Sequence, residues 1–156
     1  MSTTDSQGLT TDIAGLPALV GKHAGYTDWE TMEQARVNLF ADATDDHQYI
    51  HVDPEKAKQS PFGGTVAHGY LTLSLVAPVL GKLVKVTDAR TGVNYGLDRV
   101  RFPAPLPVGA RWRAGAELAE VSEIDGGAQL KVRVTVEVEN SERPAMVADA
   151  LVRMYA

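Results

Sequence analysis

The stretch from Lys131 to Glu139 constrains this chain most. Val132, Val134, Val136 and Val138 alternate there with Lys131, Arg133, Thr135, Glu137 and Glu139. Side chains of an extended strand point to opposite faces with a period of two, so the alternation specifies a strand with one face in a core and one in water. Such a strand needs partners. Gly109–Val121 reads as one of them, with Asp125-Gly126-Gly127 as the hairpin turn. Asn140–Pro144 is the next turn and Ala145–Tyr155 the last strand. Val93–Phe102 is a further strand, ended by Pro103, Pro105 and Pro107.

The first half has a different period. Ile13–Val20 reads as a short helix ended by Gly21, and His23–Trp29 as a short strand. Thr31 with Gln34 matches a capping box, which predicts a helix from there to about Ala43 or Thr44. Thr44–Pro54 reads as a loop, with Asp53 extended because proline disfavours the α region in its predecessor. Pro54–Lys58 starts another short helix and Pro61–Gly64 breaks the chain. From His68 a helix follows whose apolar residues, Tyr70, Leu71, Leu73, Leu75, Val76, Val79 and Leu80, go most of the way round. That is the pattern of a buried helix, and Pro78 should kink or end it. Helices first and an antiparallel run last give an α+β chain, compatible with one buried helix wrapped by a sheet.

Composition excludes several classes of function. The 156 residues suit one domain, and 44% hydrophobic with 22% charged residues is globular. There is no cysteine, hence no disulfide or thiolate chemistry, which fits a reducing compartment. Fifteen basic against twenty acidic residues give a charge of -5 with no Lys/Arg block, so nothing suggests a nucleic-acid surface. A local basic patch can still bind an anionic cofactor. Residues 1–11 are polar, lack the layout of a signal peptide and read as a disordered lead-in. No apolar run reaches membrane-spanning length. A cytoplasmic protein without membrane or nucleic-acid partners is expected.

The chemistry-bearing residues crowd into one place. Asp42, Asp45, Asp46, His47, His51 and Asp53 lie within one short segment, and three of the four histidines fall between positions 47 and 68. Asp also favours caps and turns, so a solvated loop is one reading. Two chemical readings compete with it. His47 and His51 have the H-x-x-x-H spacing of a zinc helix, but Gln48 stands where a general-base Glu belongs and the flanks read as loop. A calcium loop lacks its spacing, glycine and terminal Glu. The other reading is an acid/base dyad of Asp46 and His51. Histidine suits a base near neutral pH, and a carboxylate can orient the water it activates. The amide of Gly69, at the start of the helix, suits an oxyanion donor.

The segment Asp46-His47-Gln48-Tyr49-Ile50-His51-Val52-Asp53-Pro54 resembles the hydratase-2 signature of the MaoC-like dehydratases. Ala67-His68-Gly69-Tyr70 resembles that family's step into the central helix of a hot-dog fold, and Arg99 to Gly109 its strand-and-turn segment. The likeness runs from about Trp29 to the C-terminus. It implies one hot-dog domain over residues 12–156, a long helix wrapped by a curved antiparallel sheet, forming a homodimer. It implies reversible hydration of trans-2-enoyl-CoA to (R)-3-hydroxyacyl-CoA without a cofactor or metal, the thioester being substrate. Asp46 and His51 match the catalytic pair and Gly69 the donor to the thioester carbonyl. Gln48, His68 and Tyr49 take supporting roles, Gln48 as an orienting residue and Tyr49 as an aromatic lining where the family often has Pro or Trp. Asp45 stands where the family usually has glycine. If φ is positive there, Asp is among the better substitutes, and it sets a second carboxylate beside Asp46. A hot-dog thioesterase, or a non-catalytic acyl-thioester-binding relative, is the alternative.

Overall fold

The computed structural model describes residues 8–156. Its elements are β1 (Leu9–Thr11), a 3-10 turn at Leu16–Leu19, β2 (His23–Tyr26), β3 (Glu30–Thr31), α1 (Gln34–Thr44), α2 (Tyr49–Val52), α3 (Pro54–Ala57), α4 (Gly69–Ser74), α5 (Val76–Leu83), β4 (Val84–Val86), β5 (Thr91–Arg101), β6 (Arg111–Ile124), β7 (Gly127–Val138) and β8 (Met146–Tyr155).

The valine alternation does what its period demands. In β7, Ala128, Leu130, Val132, Val134, Val136 and Val138 are all buried. Each fully buried valine contributes roughly 1.5–3 kcal/mol. The antiparallel sheet runs β2-β6-β7-β8-β5, with β3 also on β6. Helices α4 and α5 pack on its apolar face, where Leu71, Leu75, Val76, Val79, Leu80 and Leu83 meet β6, β7 and β8. Ala114, Ala116, Ala148 and Ala150 belong to the same core, and short side chains on strands let a helix come close.

Four expectations are corrected. The central helix is not continuous: it breaks at Leu75, whose N–H bonds to Thr72 rather than one residue further back. Pro78 is the cause, since it has no N–H for the Ser74 carbonyl and its ring crowds that turn. Nor is the helix buried all round. Tyr70, Ser74, Ala77, Pro78, Gly81 and Lys82 form an exposed stripe. Helix α1 starts at Gln34 with Glu33 as its N-cap and no side-chain cap, so the Thr31/Gln34 capping box does not form. Finally, residues 1–7 of the expected lead-in lie outside the described residues, but Leu9–Thr11 form β1, paired in parallel with β4. Leu9 packs against the core, which gives this segment apolar contact as well as strand pairing.

One edge of the sheet is open. β5 is exposed along nearly its whole length, with large apolar groups at Val93, Tyr95 and Leu97. Register shifts at Asn94/Gly96 and Leu97/Arg99 each insert a residue into the strand.

Candidate active site

Asp45 ends α1 in the left-handed region, at φ 62° and ψ 23°. The family's glycine position thus does need positive φ here, and aspartate supplies it. Its carboxylate is 99% exposed and faces His47 rather than the site. The reversal places Asp46 first in the next segment, where its Oδ1 accepts from the Gln48 N–H at 3.3 Å. The chain then makes the single turn of α2, contrary to the loop read from sequence, and this turn carries His51 inward until 7% of it is exposed.

His51 is fixed by its neighbours. Its Nδ1–H donates to the Val66 carbonyl at 2.7 Å, so the lone pair sits on Nε2. Its own carbonyl accepts from Gln34 Nε2 at 2.7 Å. Gln34 Oε1 in turn accepts from the Thr65 hydroxyl at 2.6 Å. The Thr65–Ala67 segment is tied to the loop after β5, with Ala67 N–H on Leu106 and Val108 N–H on Thr65. Gln34, Thr65 and Val66 therefore lock His51 in place. Spacing could not reveal Gln34, because its partners lie 17 and 31 positions away.

His68, 2% exposed, lies against His51 with ring centroids 3.8 Å apart and planes 21° from parallel. Phe40 packs on it with centroids 4.9 Å apart. His68 Nε2–H donates to the Asp46 carbonyl at 3.0 Å, which leaves Nδ1 buried without a partner. One carboxylate oxygen of Asp46 and one ring nitrogen of each histidine lie within 4.8 Å of one another. One water can bridge such a span. A metal ion fits less well. Two lone pairs in near-parallel planes 3.8 Å apart do not converge on one ion at about 2.0–2.1 Å.

The rest of the Asp/His cluster serves the backbone and surface. Asp53 caps α3 by accepting from the Lys56 N–H. His47 Nε2 meets Asp42 at 2.8 Å, outside α2, so the H-x-x-x-H spacing does not put two imidazoles on one helix face. That hydrogen bond, with the charges of Asp42, Asp45 and Asp46, holds the exposed His47 above the ordinary histidine pKa. Gln48 meets Asp46 through its backbone, and its side chain is exposed. Tyr49 lies under the Lys56 ammonium, 4.6 Å from the ring centroid. It does not line the cleft, so the aromatic-lining expectation is replaced.

The cleft itself holds about 380 Å³ and is lined by His51, Val66, Gly69, Thr72, Phe102 and Pro103, among others. Gly69 opens α4, where first-turn N–H groups have no partner within the helix. The Phe102 ring lies so close that a Cβ at Gly69 would sit 3.3 Å from it.

The family described as MaoC like domain matches residues 16–142. This chain belongs to that family. A relative in Mycobacterium tuberculosis, 3-hydroxyacyl-thioester dehydratase Z, is 50% identical over 145 residues, covering 92% of this chain and 96% of the relative. Nodulation protein N of Rhizobium leguminosarum is 46% identical, covering 88% and 87%. Among solved structures, the (R)-hydratase from A. caviae involved in PHA biosynthesis superposes with a TM-score of 0.71 at 22% identity, covering 85% of this chain and 94% of that one. The MaoC-like fold, a central helix on an antiparallel sheet, is thus the fold of this chain. Among the described residues no helix is long and apolar enough to cross a membrane.

Proposed function

We propose that this chain catalyses the reversible hydration of trans-2-enoyl thioesters to (R)-3-hydroxyacyl thioesters. One observation carries the reading. His51 has its Nδ1–H spent on Val66, which leaves Nε2 free to act as a base; one of its ring nitrogens lies within 4.8 Å of an Asp46 carboxylate oxygen, and His51 shares the lining of the cleft with Gly69. Asp46 and His51 hold one water between them. His51 Nε2 takes its proton as the hydroxide adds to Cβ, a role suited to an imidazole near neutral pH. The Gly69 N–H binds the thioester oxygen as it becomes an enolate, and the proton taken from the water is then given up by the Asp46/His51 pair to Cα, which restores the free base. Dehydration is the same path reversed. The (R) configuration rests on the resemblance to (R)-hydratases. The chemistry calls for no cofactor beyond the thioester.

The proposed assembly is a homodimer built on β5. This strand has an unpaired edge and exposed Val93, Tyr95 and Leu97, and an edge of that kind is a template for pairing with another copy. The cytoplasm, expected from the sequence, is part of the same proposal.

The test is incubation with crotonyl-CoA. Loss of the enoyl absorbance with formation of (R)-3-hydroxybutyryl-CoA is expected. Release of free thiol without loss of the enoyl group would make the chain a thioesterase, and unchanged substrate would remove the catalytic reading.

A further inference from the structure

An enoyl thioester offers water two electrophilic carbons. Cβ and the carbonyl carbon, C1, lie in one conjugated plane, and attack at either drives electrons onto the same oxygen. A donor to that oxygen stabilises both additions, because the negative charge develops on the same atom. The Gly69 N–H therefore does not by itself choose hydration over hydrolysis. The choice rests on what covers C1.

Outside its own helix turn, the atoms nearest to the open side of Gly69 belong to one ring. Phe102 Cε2, Cδ2 and Cζ lie 3.3, 3.4 and 3.4 Å from where a Cβ would stand. Strand geometry sends the ring there. Val100 pairs with the buried Ala148 and packs against the core, so it faces the helices. Phe102 lies two residues on and keeps that face. Pro103 favours an extended chain at Phe102, which carries the direction of β5 past Arg101.

The segment that follows is stiff. Pro103, Pro105 and Pro107 fix their own φ angles. Leu106 accepts from the Ala67 N–H at 2.8 Å, the Val108 N–H donates to Thr65 at 2.9 Å, and Val66 bridges to Pro107. Val66 also accepts from the His51 ring. The phenyl ring and the imidazole are thus tied to one frame, and both line the cleft. Yet Phe102 is 42% exposed, whereas Val66, Leu106 and Ala145 in the same lining are 5% exposed or less. A ring left open to a cleft is stabilised when an apolar part of a ligand covers it.

We propose that the Phe102 ring covers C1 of a thioester whose oxygen is held by Gly69, and so directs the water activated by Asp46 and His51 to Cβ. This rests on the thioester reading above and adds the residue that sets which bond the water makes. With the ring removed, the water oxygen bonds to C1, the C1–S bond breaks, and the proton taken from the water leaves on the sulfur. The products are then a carboxylic acid and a free thiol.

The experiment compares the wild type with Phe102→Ala, Phe102→Leu and Phe102→Tyr, each checked for folding by circular dichroism. Hydration of crotonyl-CoA is followed by loss of the enoyl absorbance. Thiol release is followed from crotonyl-CoA and from butyryl-CoA, which has no electrophilic Cβ. The wild type is expected to hydrate crotonyl-CoA and to release thiol only at the uncatalysed background. Phe102→Ala is expected to release thiol from both substrates about tenfold or more above that background, because the site no longer excludes the side reaction. Phe102→Tyr keeps the ring and should stay at background. Phe102→Leu keeps apolar bulk without the ring and should fall between, so it carries the test if the alanine variant does not fold. Background thiol release from whichever of these two folds, or a tyrosine variant as leaky as alanine, would overturn the proposal. A wild type that leaves crotonyl-CoA unhydrated would instead overturn the catalytic reading.

Discussion

The imidazole of His51 lies flat on that of His68, 3.8 Å between centroids. The two rings divide the work. The single N–H of each is spent on a different carbonyl, Val66 for His51 and Asp46 for His68. His51 is left with a lone pair on Nε2, and His68 holds the backbone from which the Asp46 carboxylate hangs.

Removing either member of the proposed pair tests the assignment. His51→Ala and Asp46→Asn are each expected to lower kcat for crotonyl-CoA hydration by about a hundredfold to ten-thousandfold, the usual share of a positioned acid or base. Both should leave the fold intact by circular dichroism. Near wild-type turnover in either variant would remove that residue from the mechanism.

His68→Phe separates the stack from the hydrogen bond. A phenyl ring can still pack between Phe40 and His51, but nothing then donates to the Asp46 carbonyl. Losing the donor to a partly buried carbonyl costs about 1–3 kcal/mol. The expected outcome is kcat lower by about tenfold, with KM changed little. His68→Ala should also lower Tm, because it opens a cavity beside both rings.

Gln34→Leu leaves the His51 carbonyl and the Thr65 hydroxyl without the partners they share. Denaturant unfolding should show a loss of about 1–3 kcal/mol. A fall in kcat larger than any rise in KM is expected, because the base moves while the cleft walls stay.

Asp45 can be tested without touching the reaction. An L residue at φ 62° carries a strain of roughly 1–2 kcal/mol that glycine does not. Glycine costs back part of this through the unfolded chain. Asp45→Gly should therefore raise stability by a few tenths to about 1 kcal/mol, and Asp45→Val should lower it by more than 1 kcal/mol. Activity is expected to follow stability in neither case, since the Asp45 carboxylate points to solvent. A destabilised Asp45→Gly would show that the His47 contact outweighs the backbone strain.

The sequence makes the sheet legible because its core-facing residues repeat every second position over a long run, as in Ala128 to Val138. That Asp46 lies near His51, and that His51 and Gly69 line one cleft, is what the spacing of the two short segments announces. Gln34 is not announced. Its side chain satisfies a cap pattern on paper, yet tertiary structure draws it to His51 and Thr65. The break at Leu75 is half legible, because Pro78 announces a disruption but the missing bond falls upstream of it. The exposed stripe from Tyr70 to Lys82 is hidden for another reason: Tyr70, Ala77 and Pro78 are apolar by type, and only the fold says which of them faces outward.

The Arg133–Asp149 pair on the outer sheet predicts a pH effect of definite sign. The hydrogen bonds from Arg133 come first among the causes that hold the Asp149 carboxyl below the usual carboxylate range. A carboxyl whose folded pKa lies below its unfolded value stabilises the protein above the unfolded value, near 3.9. That contribution fades as pH falls through the folded value. Asp149→Asn should thus be less stable than the wild type at pH 7, by less than about 1 kcal/mol because the arginine is more than half exposed. The difference should hold at pH 5 and shrink below about pH 4. Urea midpoints at pH 7, 5 and 3 measure it. A gap that widens towards pH 3 would mean that Asp149 is held by its buried surroundings and not by Arg133.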